Sequence, residues 1–125
     1  MHFLTILTVA LSATVASSHT VKCLPGRSGG DAKAIREGIS YLRAQGTKTR
    51  TLGPGECERP SCSYNTGIFW CNDSKKTRSM GFVHIAEGAQ VLYDECPSLR
   101  GKRGGIAGEL DHPDLWRVQV GWADC

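Results

Sequence analysis

Histidines, cysteines and one cluster of basic residues are the groups in this chain with types suited to chemistry. The chain has four histidines. His2 lies in an apolar leader, His19 follows that leader directly, and His84 falls within a helical pattern. His112 stands in Asp111-His112-Pro113-Asp114. General acid–base work needs an imidazole and a second titratable group within reach of one substrate. The combinations available are His84 or His112 with Glu87 or Glu109, and small secreted ribonucleases use His, Glu and Arg on a compact scaffold in this way. No spacing in the sequence singles out such a set. The apolar stripe of the helix passes His84 by, which predicts a surface position, and turn chemistry accounts for each residue around His112. Gly-x-Ser-x-Gly, His-Glu-x-x-His and Walker-type segments are absent from the sequence. The expectation is a protein that is not an enzyme, with a ribonuclease-like hydrolase as the alternative.

The six cysteines are Cys23, Cys57, Cys62, Cys71, Cys96 and Cys125. Zinc is one use for them, but Cys57 and Cys62 lack a second close pair and no histidine pair has ligand spacing. An even count in a short exported chain reads instead as a disulfide framework, for which six cysteines allow 15 connectivities. No metal or other cofactor is expected. Arg100, Lys102 and Arg103 alternate with glycines in one loop. They are a candidate patch for an acidic partner, a processing site after Lys102-Arg103, or a solvated loop. Asn72-Asp73-Ser74 is a sequon in a predicted polar surface loop, so Asn72 is a candidate N-glycosylation site. The turn Gly26-Arg27-Ser28-Gly29-Gly30 has the glycines of an anion cradle, but a helix lead-in requires them equally.

These residues are placed by what surrounds them. Met1 to Ser18 contains no charged side chain, and Leu4 to Leu11 has the length of a signal-peptide core. Thr14-Val15-Ala16 or Ala16-Ser17-Ser18 fits the cleavage site, so residues 1–18 are expected to leave and 19–125 to form one secreted, extracellular domain. That domain keeps the whole net charge of +3. The balance suits approach to acidic walls or membrane surfaces and is too small to argue for nucleic acid.

Fifteen glycines punctuate the domain and mark its element boundaries. Thr20 to Leu24 reads as a short strand. Asp31 caps a helix reaching Ala44, with Ile35, Ile39 and Leu42 at helical spacing. Thr49 to Leu52 reads as the start of a strand, and Ser61 to Tyr64 and Gly67 to Cys71 as strands joined at Asn65-Thr66-Gly67. A second helix is expected from about Met80 to Cys96 along Phe82, Ile85, Ala86, Ala89, Leu92 and Tyr93. Ile106 to Leu110 reads as a strand before the turn at His112. Trp116, Val118, Val120 and Trp122 alternate with Arg117, Gln119 and Gly121, which predicts a closing strand with all four apolar residues inward. The fold class is α+β, with two helices packed on one face of an antiparallel sheet.

Val21-Lys22-Cys23, the Ser28-Gly29-Gly30 lead-in, Cys62 before a strand, Cys96 ending the second helix and the alternating strand closing on Cys125 resemble the killer toxin of smut fungi and its small secreted relatives. The segment Ser61-Cys62-Ser63-Tyr64-Asn65 through Ile68 and Cys71-Asn72-Asp73 is also similar to a set of cysteine-rich fungal secreted proteins. The resemblance implies an α/β-sandwich and disulfides joining Cys23 to Cys96 and Cys62 to Cys125. Cys57 and Cys71, without counterparts in that family, are left to each other. It further implies a non-enzymatic toxin or effector, a virulence factor or antifungal agent. The prototype interferes with calcium channels, so the implied partner is a membrane or wall component of a target cell, a channel among them. A monomer is expected, with no nucleic acid and no metal as partner. The functional lysine of the toxin lies in a loop that does not align, so neither Lys75 nor Lys102 inherits its role.

Overall fold

The computed structural model describes residues 19–24, 29–96 and 107–125. The elements run β1 (Thr20–Cys23), α1 (Ala32–Ala44), β2 (Thr49–Leu52), β3 (Cys57–Ser63), β4 (Thr66–Asn72), β5 (Arg78–Gly81), α2 (Phe82–Glu95), β6 (Gly108–His112) and β7 (Trp116–Trp122). The class is α+β: two helices packed with antiparallel sheets and stapled by disulfides.

Helix α1 starts where Asp31 Oδ1 accepts a hydrogen bond from Lys33 N at 2.8 Å, satisfying one orphan donor of the first turn. Its buried residues Ile35, Ile39 and Leu42 lie on one stripe. Helix α2 buries Phe82, Ile85, Ala89 and Leu92 in the same manner. Both stripes cover one face of a five-stranded sheet ordered β1-β6-β7-β4-β3, α1 over β3 and β4 and α2 over β7, β6 and β1. Antiparallel register sets Ile68 opposite Val120, and Trp70 and Leu110 opposite Val118; all five side chains are buried. Trp70 is fully buried and its Nε1 has no hydrogen-bond partner among the described residues.

Two close approaches bring the helices down onto the sheet. A Cβ built on Gly88 would stand 2.8 Å from Val118 Cγ2, and one on Gly38 would stand 2.6 Å from Ser61 Oγ. A side chain at either position has no room without movement of its neighbour.

Three features differ from the expectation. Met80 and Gly81 do not open the second helix; they belong to β5, which pairs antiparallel with β2 in a separate two-stranded sheet. Met80 sits opposite Arg50, the Thr51 and Ser79 hydroxyls share a hydrogen bond of 2.6 Å, and Phe82 N donates to Lys48 O. The ladder uses backbone groups that a longer helix would have kept for itself. Strand β3 begins at Cys57 rather than Ser61, with its register shifting between Glu58 and Ser61. Pro60 has no N–H to give to a ladder, and it sits within that irregularity on the sheet edge. Trp122, finally, is not inward: it is 56% exposed, because β7 runs on past the cover of the helices.

The disulfides join Cys23 to Cys96, Cys57 to Cys71 and Cys62 to Cys125, with Cα separations of 5.5, 4.1 and 5.7 Å. The first ties β1 to the end of α2. The second links directly opposed residues of β3 and β4. The third anchors the segment after β7 to the edge strand.

Candidate functional site

The elements bring His19, His84, Glu87 and His112 to one cleft of about 250 Å³, with Gly88, Val91, Leu110 and Trp116 as its remaining walls. His84 and Glu87 are one helical turn apart on α2, and Nδ1 of the imidazole lies 3.5 Å from Glu87 Oε2. His112 ends β6 and stacks on Trp116, its partner across the hairpin, with ring centroids 4.6 Å apart. Its Nδ1 accepts a hydrogen bond from Asp114 N at 3.1 Å, which sets the proton of the neutral ring on Nε2. Asp114 Oδ2 stands 3.6 Å from the same nitrogen and is positioned to pair with it once the ring is charged. Strand β1 is too far from α2 and β6 in sequence for spacing to announce that His19 joins them.

Of the two carboxylates weighed as partners, Glu87 is in the cleft and Glu109 is not. Successive residues of a strand point to opposite faces. Glu109 therefore lies on the sheet surface away from the helices while His112 faces the other way. There Glu109 belongs to a polar network: Gln119 Nε2 donates to its Oε1 at 2.6 Å, Arg117 Nη1 lies 3.6 Å from Oε1, and Lys22 Nζ lies 3.7 Å from Oε2. Lys22 also approaches Asp111 at 3.3 Å, and Arg117 Nε approaches Asp73 at 3.7 Å. Each charge of this network has an opposite neighbour, so it acts as a cross-strand staple.

A second recess, of about 320 Å³, opens on that same outer surface and is lined by Leu24, Phe69, Ala107, Gly108, Gln119, Val120, Gly121 and Trp122. None of these residues is charged. Hairpin β3–β4 ends beside it in Tyr64-Asn65, both with positive φ (48° and 54°). Tyr64 is 78% exposed. Ala123 N donates to Asn65 O, which fastens the residue after Trp122 to the tip bearing Tyr64.

Asn72 is corrected by the structure. It is fully buried rather than displayed on a loop. Its Nδ2, the atom a glycan would modify, donates to Leu52 O, Gly53 O and Lys76 O at 3.2, 3.1 and 2.7 Å. Its Oδ1 accepts from Ser74 N and from Ser74 Oγ, the sequon's own hydroxyl. Asn72 in the folded chain is a structural bracket with no nitrogen left to carry a sugar. Arg100, Lys102 and Arg103 lie outside the described residues.

Among the described residues no group of three or more His, Cys, Asp or Glu side chains is arranged to hold a metal ion, and no helix is long and apolar enough to cross a membrane. Compared with known proteins, the chain matches no family model, no curated protein and no solved structure.

Proposed function

We propose that this chain is a secreted toxin or effector of the killer-toxin-like kind, acting outside the producing cell by binding a surface component of a target cell. The observation that carries the reading is the disulfide arrangement. The three bridges tie β1 to α2, β3 to β4, and the segment after β7 to β3. A domain of this size held at its sheet edges and beyond its closing strand is suited to an oxidising exterior. The pairing is also the one implied by the resemblance of the cysteine-bearing segments to the killer toxin. The uncharged leader, residues 1–18, supports export.

The histidine cleft favours a second reading, a small secreted hydrolase acting on RNA. Binding is preferred because the cleft is loosely built. The side chains of His84 and Glu87 are 64% and 61% exposed, so water screens their pairing and nothing packs them into one geometry. Catalytic groups are held within ~0.5 Å of a productive geometry by packing and further hydrogen bonds. His112 has such support from Trp116 and Asp114, whereas the exposed His84 and Glu87 are given only each other.

One experiment separates the two. Purified secreted protein is applied to fungal and to plant cells, with and without added calcium, and in parallel to RNA, wall glycans and ester substrates. Growth inhibition relieved by calcium, with no turnover, is the expected result. Turnover of RNA that disappears in His84→Gln with His112→Gln would replace the binding reading with the hydrolase.

A further inference from the structure

The turn between β6 and β7 and the loop after β4 meet at one end of the molecule. Leu115, in that turn, has φ 63° and is 56% exposed. Bulky residues avoid the left-handed region, where Asn or Gly is the ordinary choice. Strain of this kind persists where the surroundings impose it, and it is a reason to look for function. Two backbone bonds impose it here: Leu115 N donates to His112 O at 3.1 Å, and Leu115 O accepts from Asp73 N at 2.9 Å. The leucine pays for a strained backbone and buries little of its side chain in return.

Charge supplies an independent observation. The bond from Asp73 fastens Leu115 to the loop that carries Lys75 and Lys76, and Lys75 is only ~7 Å of extended chain beyond Asp73. Asn72 Nδ2 donates to Lys76 O at 2.7 Å and Ser74 Oγ to the same oxygen at 2.9 Å, so the loop is held while both lysines stay exposed. Asn72 Nδ2 also donates to Leu52 O, and Leu52 stands opposite Arg78, which brings a third cation to this end. Among the described residues Lys75, Lys76 and Arg78 take part in no ion pair. Residues 1–18, 25–28 and 97–106 hold no Asp or Glu that could supply one. The nearby carboxylates have other neighbours. Asp73 lies 3.7 Å from Arg117 Nε, Asp114 lies 3.6 Å from His112 Nδ1, and Glu56 Oε2 accepts from Gly53 N at 2.7 Å.

We infer that this end docks on the anionic phospholipid surface of a target-cell membrane. Lys75, Lys76 and Arg78 meet the charged headgroups, and Leu115 enters the boundary between headgroups and acyl chains. Interfacial binding adds buried apolar area to the attraction of basic residues for anionic lipid, and both ingredients are present here. An acidic polysaccharide or a nucleic acid would engage the cations through its charges and has no use for the leucine. The exposed residues are also consecutive tips of turns, Pro113 to Leu115 and Lys75 to Thr77, which suit contact with a flat surface. The inference rests on the reading of the chain as a secreted binder of a target-cell surface component and names that component's class.

The test is flotation of the purified secreted protein with vesicles of phosphatidylcholine, alone and with added phosphatidylserine, beside retention on polygalacturonate beads. Leu115→Asn removes the apolar side chain and places an αL-tolerant residue in the turn, so the variant melts at or above the parent. Lys75→Gln with Lys76→Gln leaves the backbone bonds of the loop in place. Lys33→Gln with Arg36→Gln removes the same charge from α1 and serves as the control. The expected result is binding that requires phosphatidylserine and is unchanged in the control. The lysine pair weakens it about tenfold, and Leu115→Asn weakens it about threefold or more. No binding to phosphatidylserine vesicles, equal binding of parent and Leu115→Asn, an equal loss in the control, or retention on polygalacturonate alone each overturns it. Growth inhibition measured on the same samples keeps the two ideas apart. Inhibition without vesicle binding removes the lipid surface and leaves the toxin, whereas vesicle binding by a protein that inhibits no cell does the reverse.

Discussion

The side chain of Asn72 makes five hydrogen bonds to Leu52, Gly53, Ser74 and Lys76, and its backbone makes two more, to Gly55 and Glu56. The loops on either side of β4 are thereby tied to one buried amide. Removing a partner from a buried polar group leaves the others with their full desolvation cost, and a charge in that place costs more. Asn72→Asp exchanges a donor facing three carbonyl oxygens for a carboxylate facing the same oxygens. It is expected to lower stability by about 3 kcal/mol or more, read as a fall in the urea midpoint with unchanged slope. A midpoint within error of the parent would show that the bracket is dispensable.

At the level of elements, the two helices meet the sheet through glycines of different tolerance. Alanine at position 88 gains about 1 kcal/mol of helix propensity but sets its Cβ against Val118, a fully buried, β-branched residue in a central strand. Overpacking of this kind typically costs about 1–3 kcal/mol. Position 38 faces Ser61 Oγ, the end of a short side chain on the edge strand, with Ile68 Cδ1 at 3.0 Å. The hydroxyl turns away more cheaply than a core strand shifts. Gly88→Ala is therefore expected to melt below the parent and Gly38→Ala nearer to it, in thermal unfolding followed by circular dichroism. The reverse order would mean that β3, and not β7, is the rigid seat of the helices.

For the molecule as a whole, stability depends on three covalent links of unequal span. Cys62–Cys125 and Cys23–Cys96 close loops with sequence separations of 63 and 73, while Cys57–Cys71 spans 14. In the chain-entropy account the long loops contribute ~4 kcal/mol each and the short one ~3 kcal/mol. A domain of this length has about 5–15 kcal/mol of net stability in all. Cys62→Ser with Cys125→Ser is expected to melt far below the parent, and Cys57→Ser with Cys71→Ser to fall less, because β3 and β4 stay paired through their ladder. Non-reducing peptide mapping of the parent checks the pairing itself, and a Cys57–Cys62 or Cys71–Cys96 peptide would contradict it.

The α+β class and most element positions were legible in the sequence, because period and punctuation are local. The stripe Ile35, Ile39, Leu42 and the alternation through Val118 and Val120 record which faces are buried whatever lies opposite. Asp31 announces its cap for the same reason. What tertiary structure decided is what covers each element. Trp122 continues the inward alternation of its strand and yet is exposed, since the helices end before it does. Asn72 is polar in a polar segment and yet is buried, since Leu52, Gly53 and Lys76 turn their carbonyls toward it from elsewhere in the chain. Met80 continues an apolar stripe and yet is a strand residue, because β2 offers a ladder to β5. The convergence of His19, His84 and His112 on one cleft arises from the pairing of β1 with β6 and the seating of α2 against them, elements distant in sequence. Register depends on which strands pair, and that is a property of the folded molecule rather than of any segment of it.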